Sequence, residues 1–174
     1  MLTTNINKPF YNSFIERYSE DIDRLYPELK DVEITLTDDG NPNRTPYLLG
    51  QERESPLICT CNDEYEGVIY NDVVCINNLT QDISEDAFHA LAAHEIGHFV
   101  YHYRNMDMGG QEEEKFADDI ALTLVSRNAL VEGLTHSKDC VKKSIDAIMQ
   151  MFDELTEKKK EQIRMLDERI NRIL

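Results

Sequence analysis

His94-Glu95-Ile96-Gly97-His98 is the stretch from which the rest of this sequence can be interpreted, because it forms an H-E-x-x-H pattern. A spacing of four residues places His94 and His98 on one face of a helix, about one turn apart. Two imidazoles in this arrangement suit a zinc ion. Glu95 lies beside that face and can reach a metal-bound water without being a ligand. The stretch therefore predicts a metal-binding helix with His94 and His98 as ligands and Glu95 as a general base.

The residues around this motif predict that the helix is long and central. Ser84 is a good N-cap, and the acidic residues after it suit the positive end of the helix dipole. We expect the helix to run to about Tyr103. Small residues allow a sheet or another helix to approach closely, and they are Ala90, Ala92, Ala93 and Gly97.

A catalytic zinc usually has three protein ligands, and two residues compete for the third place. His102 follows His94 by eight residues, which is about 12 Å along a straight helix at 1.5 Å per residue. Their rings cannot both reach one ion, so we interpret His102 as a structural or surface histidine. We interpret His89, which lies off the metal face, as structural.

Glu114 is the better third ligand. The sequence predicts a second helix over 111–130, folded back antiparallel after a short connection that contains Gly109 and Gly110. This places Glu114 at a height that completes the site, and it places Asp118 one turn deeper. Asp118 is predicted to accept a hydrogen bond from His94 or His98 and so to fix the ring.

The other acidic residues of this run receive a different interpretation. Glu112 and Glu113 precede Glu114 directly. We interpret both as part of a solvated first helical turn.

Outward from the motif, the pattern predicts a single domain over 1–174 with an α+β fold. Helical spacing of apolar residues predicts an N-terminal helix over 9–26, and a third helix is expected from about 138 to the C-terminus, as a helical extension. Strand-like runs predict a small, mainly antiparallel sheet, with a hairpin at 64–67 and a tight turn at 70–73. These runs are 32–37, 57–61, 67–70 and 73–77.

Composition narrows the classes of function. The chain has 18 Lys+Arg against 34 Asp+Glu, which gives a net charge of −16. This charge argues against nucleic acid and against anionic membrane surfaces as partners. No apolar run is long enough for a membrane span. The four cysteines have no C-x-x-C spacing, and the N-terminus lacks the pattern of a signal peptide, so we expect reduced thiols and a cytoplasmic protein.

The pattern His94-Glu95-Ile96-Gly97-His98 followed by Glu114-Lys115-Phe116-Ala117-Asp118 resembles that of the gluzincin metallopeptidases. The E-x-x-A-D form resembles the compact members, which include the minigluzincins and the IrrE/ImmA-like bacterial peptidases. The resemblance is best from about residue 67 to residue 130. The short connection between the two ligand helices leaves little chain there for specificity pockets.

The resemblance implies a single-domain zincin-like fold with a small sheet, an active-site helix, a glutamate helix and further helices. It implies one Zn²⁺ per chain held by His94, His98 and Glu114, with Glu95 as the general base. The expected activity is hydrolysis of peptide bonds, as an endopeptidase rather than an exopeptidase. A peptide or protein substrate would add as an extended strand to a rim strand over 73–77.

Several alternatives stay open at this point. The chain could be a latent or inactive zincin-fold protein that binds a partner and holds a structural zinc. The C-terminal helix could pack on the core, form a helical hairpin or drive self-association. A donor for the transition-state oxyanion could be Tyr101, Tyr103 or His136, and nothing in the spacing selects among them.

Overall fold

The computed structural model describes residues 2–4, 9–38, 58–65, 68–76, 83–106, 110–148 and 153–174. These residues contain five α-helices and a short 3₁₀ turn at Pro27–Leu29. The helices are α1 (Pro9–Leu25), α2 (Glu85–Tyr103), α3 (Gln111–Leu124), α4 (Arg127–Ile148) and α5 (Asp153–Ile173).

Four strands form one mixed sheet in the order β1-β2-β4-β3. β1 pairs with β2 in parallel, β2 pairs with β4 in parallel, and only β3 and β4 are antiparallel. The strands are β1 (Leu2–Thr4), β2 (Ile34–Asp38), β3 (Ile58–Tyr65) and β4 (Val68–Ile76). β3 lies beside α2.

The predicted α+β class with a small, mainly antiparallel sheet is wrong. The described chain is mainly helical. Its sheet is held together by two parallel pairings and one antiparallel pairing. The prediction treated neighbouring strand-like runs as hairpins, whose strands are antiparallel. β1 and β2 are instead joined through α1, and a crossover of this kind produces parallel strands.

The strands differ from the prediction in two further ways. The expected turn at 70–73 is absent, because β4 runs unbroken from Val68 to Ile76. Antiparallel pairing of Tyr65 with Val68 confirms the hairpin, although its connecting residues 66–67 lie outside the described part of the chain. The predicted rim strand is wrong, because residues 73–76 of β4 pair with β2 on one side and with β3 on the other.

The first two helices agree closely with the bounds predicted from the sequence. α1 begins at Pro9 and ends at Leu25, two residues before Pro27. The Ser84 side chain accepts a hydrogen bond from the backbone N–H of Ala87, as an N-cap does. α2 is buried on nearly all sides, which is what a central helix requires.

The later helices differ from their predicted bounds. The expected helix over 111–130 breaks at Val125, whose backbone is extended, and a new helix starts where Ser126 Oγ accepts from the Ala129 N–H. Ser126 is a second N-cap that the apolar periodicity masked. The expected helix from Lys138 to the C-terminus is likewise wrong, because two helices, α4 and α5, occupy that region.

α4 and α5 pack against each other, and α5 also contributes to the core. Leu166, Ile170 and Ile173 of α5 are buried in the same apolar cluster as residues of α1, β2, α2, α3 and α4. This packing places the polar face of α5 along α3. Among the described residues, no helix combines the length and the apolar character needed to cross a membrane.

Candidate metal centre

α2 brings the two histidines of the motif together. Nε2 of His94 and Nε2 of His98 lie 3.1 Å apart. His94 is buried with 5% of its surface exposed, and His98 is half-buried. One helix face therefore presents two imidazole nitrogens toward a common point.

α3 adds Glu114 to this pair. Glu114 Oε2 lies 3.5 Å from His94 Nε2, and Glu114 Oε1 lies 3.6 Å from His98 Nε2. The three potential donor atoms all lie within 4.8 Å of one another. Donors bound to one tetrahedral zinc at 2.0–2.1 Å are about 3.3 Å apart. The donor set thus fits zinc both in its chemistry and in its spacing.

Asp118 lies one turn further along α3 and touches the other side of the His94 ring. Its Oδ1 is 3.0 Å from His94 Nδ1, and its side chain is fully buried. A carboxylate at this nitrogen fixes the orientation of the ring and leaves the lone pair of Nε2 available to bind a metal. The structure therefore brings together His94, His98, Glu114 and Asp118, four of the five site residues selected from the sequence.

Glu113 also belongs to this cluster, and its interpretation as part of a solvated turn is wrong. Its Oε1 lies 3.0 Å from Nδ1 of His98. Glu112 does point outward, since 63% of its side chain is exposed and it pairs with Lys115. The two histidines thus each have a carboxylate at Nδ1, Asp118 for His94 and Glu113 for His98.

Sequence reasoning missed Arg169, which reaches the cluster from α5. Its Nε and Nη2 bond to the two Asp118 oxygens at 3.0 and 2.8 Å, and its Nη1 donates to Glu114 Oε2 at 2.5 Å. Arg169 is 75 residues from His94 in sequence. In the sequence it is one charged residue among several on a helix, beside the apolar positions Leu166 and Ile173, and nothing there points to this partner.

The charges in the cluster shift the pKa of its members. Burial and the Arg169 guanidinium lower the pKa of His94, but hydrogen bonds with Asp118 and Glu114 outweigh them and raise it to about 9. Burial raises the pKa of Glu114, but its contacts with His94 and Arg169 lower it to about 2. Positive His94 and Arg169 therefore face ionised carboxylates.

The neighbouring charges and burial also shift the pKa values of two further groups. Burial opposes ionisation of Asp118, yet its bonds with His94 and Arg169 hold its pKa well below the usual range. Burial and the positive charge of His94 lower the pKa of His98. A zinc ion binds imidazoles in their neutral form, so metal binding would release the His94 proton.

The other candidates from the sequence lie at different places. Glu95 follows His94 directly on α2 and is buried with 6% of its surface exposed, and its negative charge adds to the effects that raise the pKa of His94. Tyr101 is buried against Phe116. His102 and Tyr103 are exposed at the end of α2, and His136 lies on α4 with Nε2 3.7 Å from Cys140 Sγ.

A cavity of about 120 Å³ lies between α3 and α5, next to the cluster. Glu114 and Arg169 form the wall that the cavity shares with the cluster, and Met165 contributes an apolar surface.

Comparison with known proteins adds no relative: no protein-family model, curated protein or solved structure matches the chain.

Proposed function

We propose that this protein is a zinc-dependent metallopeptidase of gluzincin type. One observation supports the proposal above all others: Nε2 of His94, Nε2 of His98 and the Glu114 carboxylate converge with donor separations of 3.1 to 3.6 Å. These three residues would hold one Zn²⁺ per chain. A zinc ion bound there would supply a Lewis acid and a water of lowered pKa.

The residues of the chain would divide the remaining work. Glu95, next to the ligands on α2, would accept a proton from the attacking water and pass it to the leaving amine. Asp118 and Glu113 would hold the two ligand rings in place through Nδ1. A base that is not a ligand is unnecessary in a purely structural zinc site, so Glu95 supports an enzyme.

The substrate would be a peptide or protein, cleaved internally. β3 is the described strand best placed to receive it, because it pairs with β4 on one side and lies beside α2. An extended peptide could add to its other side by main-chain hydrogen bonds. The net charge of −16 disfavours nucleic acid, and we propose a cytoplasmic location. Self-association through the C-terminal helix remains a prediction.

A second candidate is a latent zincin-fold protein whose zinc is structural and which serves as a regulatory module. One observation favours it: Arg169 of α5 already bonds Glu114 and lies against His94. In this case α5, the C-terminal helix, would hold Glu114 and His94 in place through Arg169.

The test begins with zinc content per chain for wild type and for Glu114→Ala, purified without added metal or chelator. We expect about one zinc in wild type and a clear reduction in the variant. Wild type that is metal-free and takes up no added zinc would exclude the peptidase.

The second part of the test separates catalysis from metal binding. Glu95→Gln should keep its zinc and lose about 10²–10⁴-fold of the hydrolysis of fluorescein-labelled casein. Glu112→Gln, an exposed neighbour of the ligand, serves as the control and should keep both. Zinc-loaded wild type without hydrolysis would favour the latent module.

A further inference from the structure

The Arg169 guanidinium is in direct contact with two of the three residues that would hold the metal. Nη1 bonds to Glu114 Oε2 at 2.5 Å, and Nη2 lies 3.2 Å from both ring nitrogens of His94. The lone pairs of those two nitrogens point in different directions, so one N–H group cannot donate to both. The guanidinium therefore lies against the imidazole ring and beside Nε2, the atom that would bind the metal.

The position of Arg169 places a permanent positive charge at the site. Its side chain is 13% exposed, and an arginine does not lose its proton in proteins. Charges that are removed from water interact more strongly than charges at the surface. A divalent cation held by His94 and Glu114 would thus be repelled by Arg169 and would compete with it for the Glu114 carboxylate.

α5 carries this charge on a face that is docked to α3 by polar contacts. Arg172 bonds to Asp119 at 2.7 Å, and Gln111 donates to Glu168 at 3.3 Å. The bidentate pair of Arg169 with Asp118 adds to them. Weakening the Arg169 contacts should therefore loosen α5 on this side.

We propose that Arg169 is a built-in counter-cation of the metal-free centre, which lowers the affinity for zinc and couples metal binding to the docking of α5. This inference rests on the proposed zinc site. By thermodynamic linkage, the docking of α5 through Arg169 weakens zinc binding by the same factor by which zinc weakens that docking. A coupling of this kind is typically 5- to 150-fold, and we expect about tenfold.

The first experiment measures zinc dissociation constants by competition with nitrilotriacetate. Arg169→Met removes the charge and keeps an unbranched side chain of similar length. We expect it to bind zinc about tenfold more tightly than wild type. Arg164→Met is the control, because Arg164 lies on the same helix with an exposed side chain that pairs with Glu161. It should change the constant by less than about threefold.

The second experiment follows the reciprocal effect by amide hydrogen exchange. Zinc added to wild type should raise the exchange rate of residues 165–173, and it should leave that rate unchanged in Arg169→Met. Protection of α5 by zinc in wild type would overturn the proposal.

A folding control keeps the test decisive, because Arg169→Met leaves Asp118 as a buried carboxylate without its guanidinium. If that variant does not fold, Asp118→Asn is compared with the double variant Asp118→Asn/Arg169→Met. The double variant should bind zinc about tenfold more tightly than the single variant.

The outcomes separate this proposal from the proposed function. Wild type that binds zinc as tightly as Arg169→Met, or more tightly, overturns the counter-cation and leaves the metal centre intact. If neither protein takes up zinc, both proposals are overturned. Tighter binding in Arg169→Met alone supports both.

Discussion

Gly97 of α2 lies so close to Ala117 of α3 that a Cβ atom on Gly97 would be 2.6 Å from Ala117 Cα and 2.8 Å from Ala117 O. Both neighbours are backbone atoms, which cannot rotate away. The x-position glycine of the H-E-x-x-H motif thus sets the distance between the two helices. It thereby sets how close Glu114 comes to the histidines.

Gly97→Ala should separate α2 from α3. We expect the free energy of unfolding to fall by about 1–2 kcal/mol, because overpacking outweighs the gain in helix propensity. Zinc affinity should fall about tenfold as Glu114 moves away. Urea denaturation and chelator competition measure the two effects.

Gly133→Ala is the matched control for this prediction. A Cβ atom there would lie 3.0 Å from Ala87 O and 3.1 Å from Cγ of Leu91, a side chain that can move. We expect a smaller loss of stability and unchanged zinc affinity. Equal effects of the two substitutions would refute the role given to Gly97.

Glu113 should be necessary for full zinc affinity. Its Oε1 is 3.0 Å from His98 Nδ1, and the loss of such a partner typically costs 10- to 100-fold in metal affinity. We predict a loss of about tenfold for Glu113→Gln, measured by chelator competition. Glu112→Gln, one residue away and exposed, should leave the affinity unchanged, and an equal loss there would point to a general charge effect.

His89 should make the protein less stable in mild acid. It is buried, its Nε2 lies 3.0 Å from Ser13 Oγ, and its Nδ1 has no hydrogen-bond partner among the described residues. Burial lowers its pKa, so below pH 6.5 the unfolded chain takes up a proton that the folded chain resists. This contribution to stability is present above pH 6.5 and is lost as the pH falls toward the lowered pKa.

The measurement is the free energy of unfolding of wild type and His89→Gln at pH 7.5 and pH 5. The variant should lose less stability between these values than wild type does. His102→Gln, an exposed change on the same helix, should leave the wild-type difference unaltered. A steeper loss in His89→Gln than in wild type would contradict the prediction.

Ser84 should anchor the start of α2. It accepts from the Ala87 N–H at 3.2 Å and donates to Glu132 Oε1 at 2.6 Å, so it also links α2 to α4. Ser84→Ala should lower the free energy of unfolding by about 1 kcal/mol. Thermal denaturation tests this, with Ser84→Asn as an uncharged replacement that retains the cap and can still donate to Glu132. Loss of stability in Ser84→Asn equal to that in Ser84→Ala would exclude capping as the cause.

The sequence by itself determined the features that depend on local spacing. His94, His98 and Glu95 follow from helical periodicity, and the bounds of α1 and α2 follow from Pro9 and Ser84, because helix geometry and capping act over only a few residues. Glu114 and Asp118 needed one further assumption, an antiparallel second helix, and the structure brings both to His94.

Tertiary structure decided what depends on distant parts of the chain. The parallel pairing of β1 with β2 and of β2 with β4 joins strands that are separated by long stretches of chain, which no local pattern encodes. Glu113 meets His98 because α3 packs closely on α2, which brings its carboxylate within 3.0 Å of the ring. Arg169 reaches the centre because Leu166 and Ile173, three residues before it and four residues after it on the same side of α5, are buried in the core. Their burial fixes which side chains of a charged helix meet the cluster.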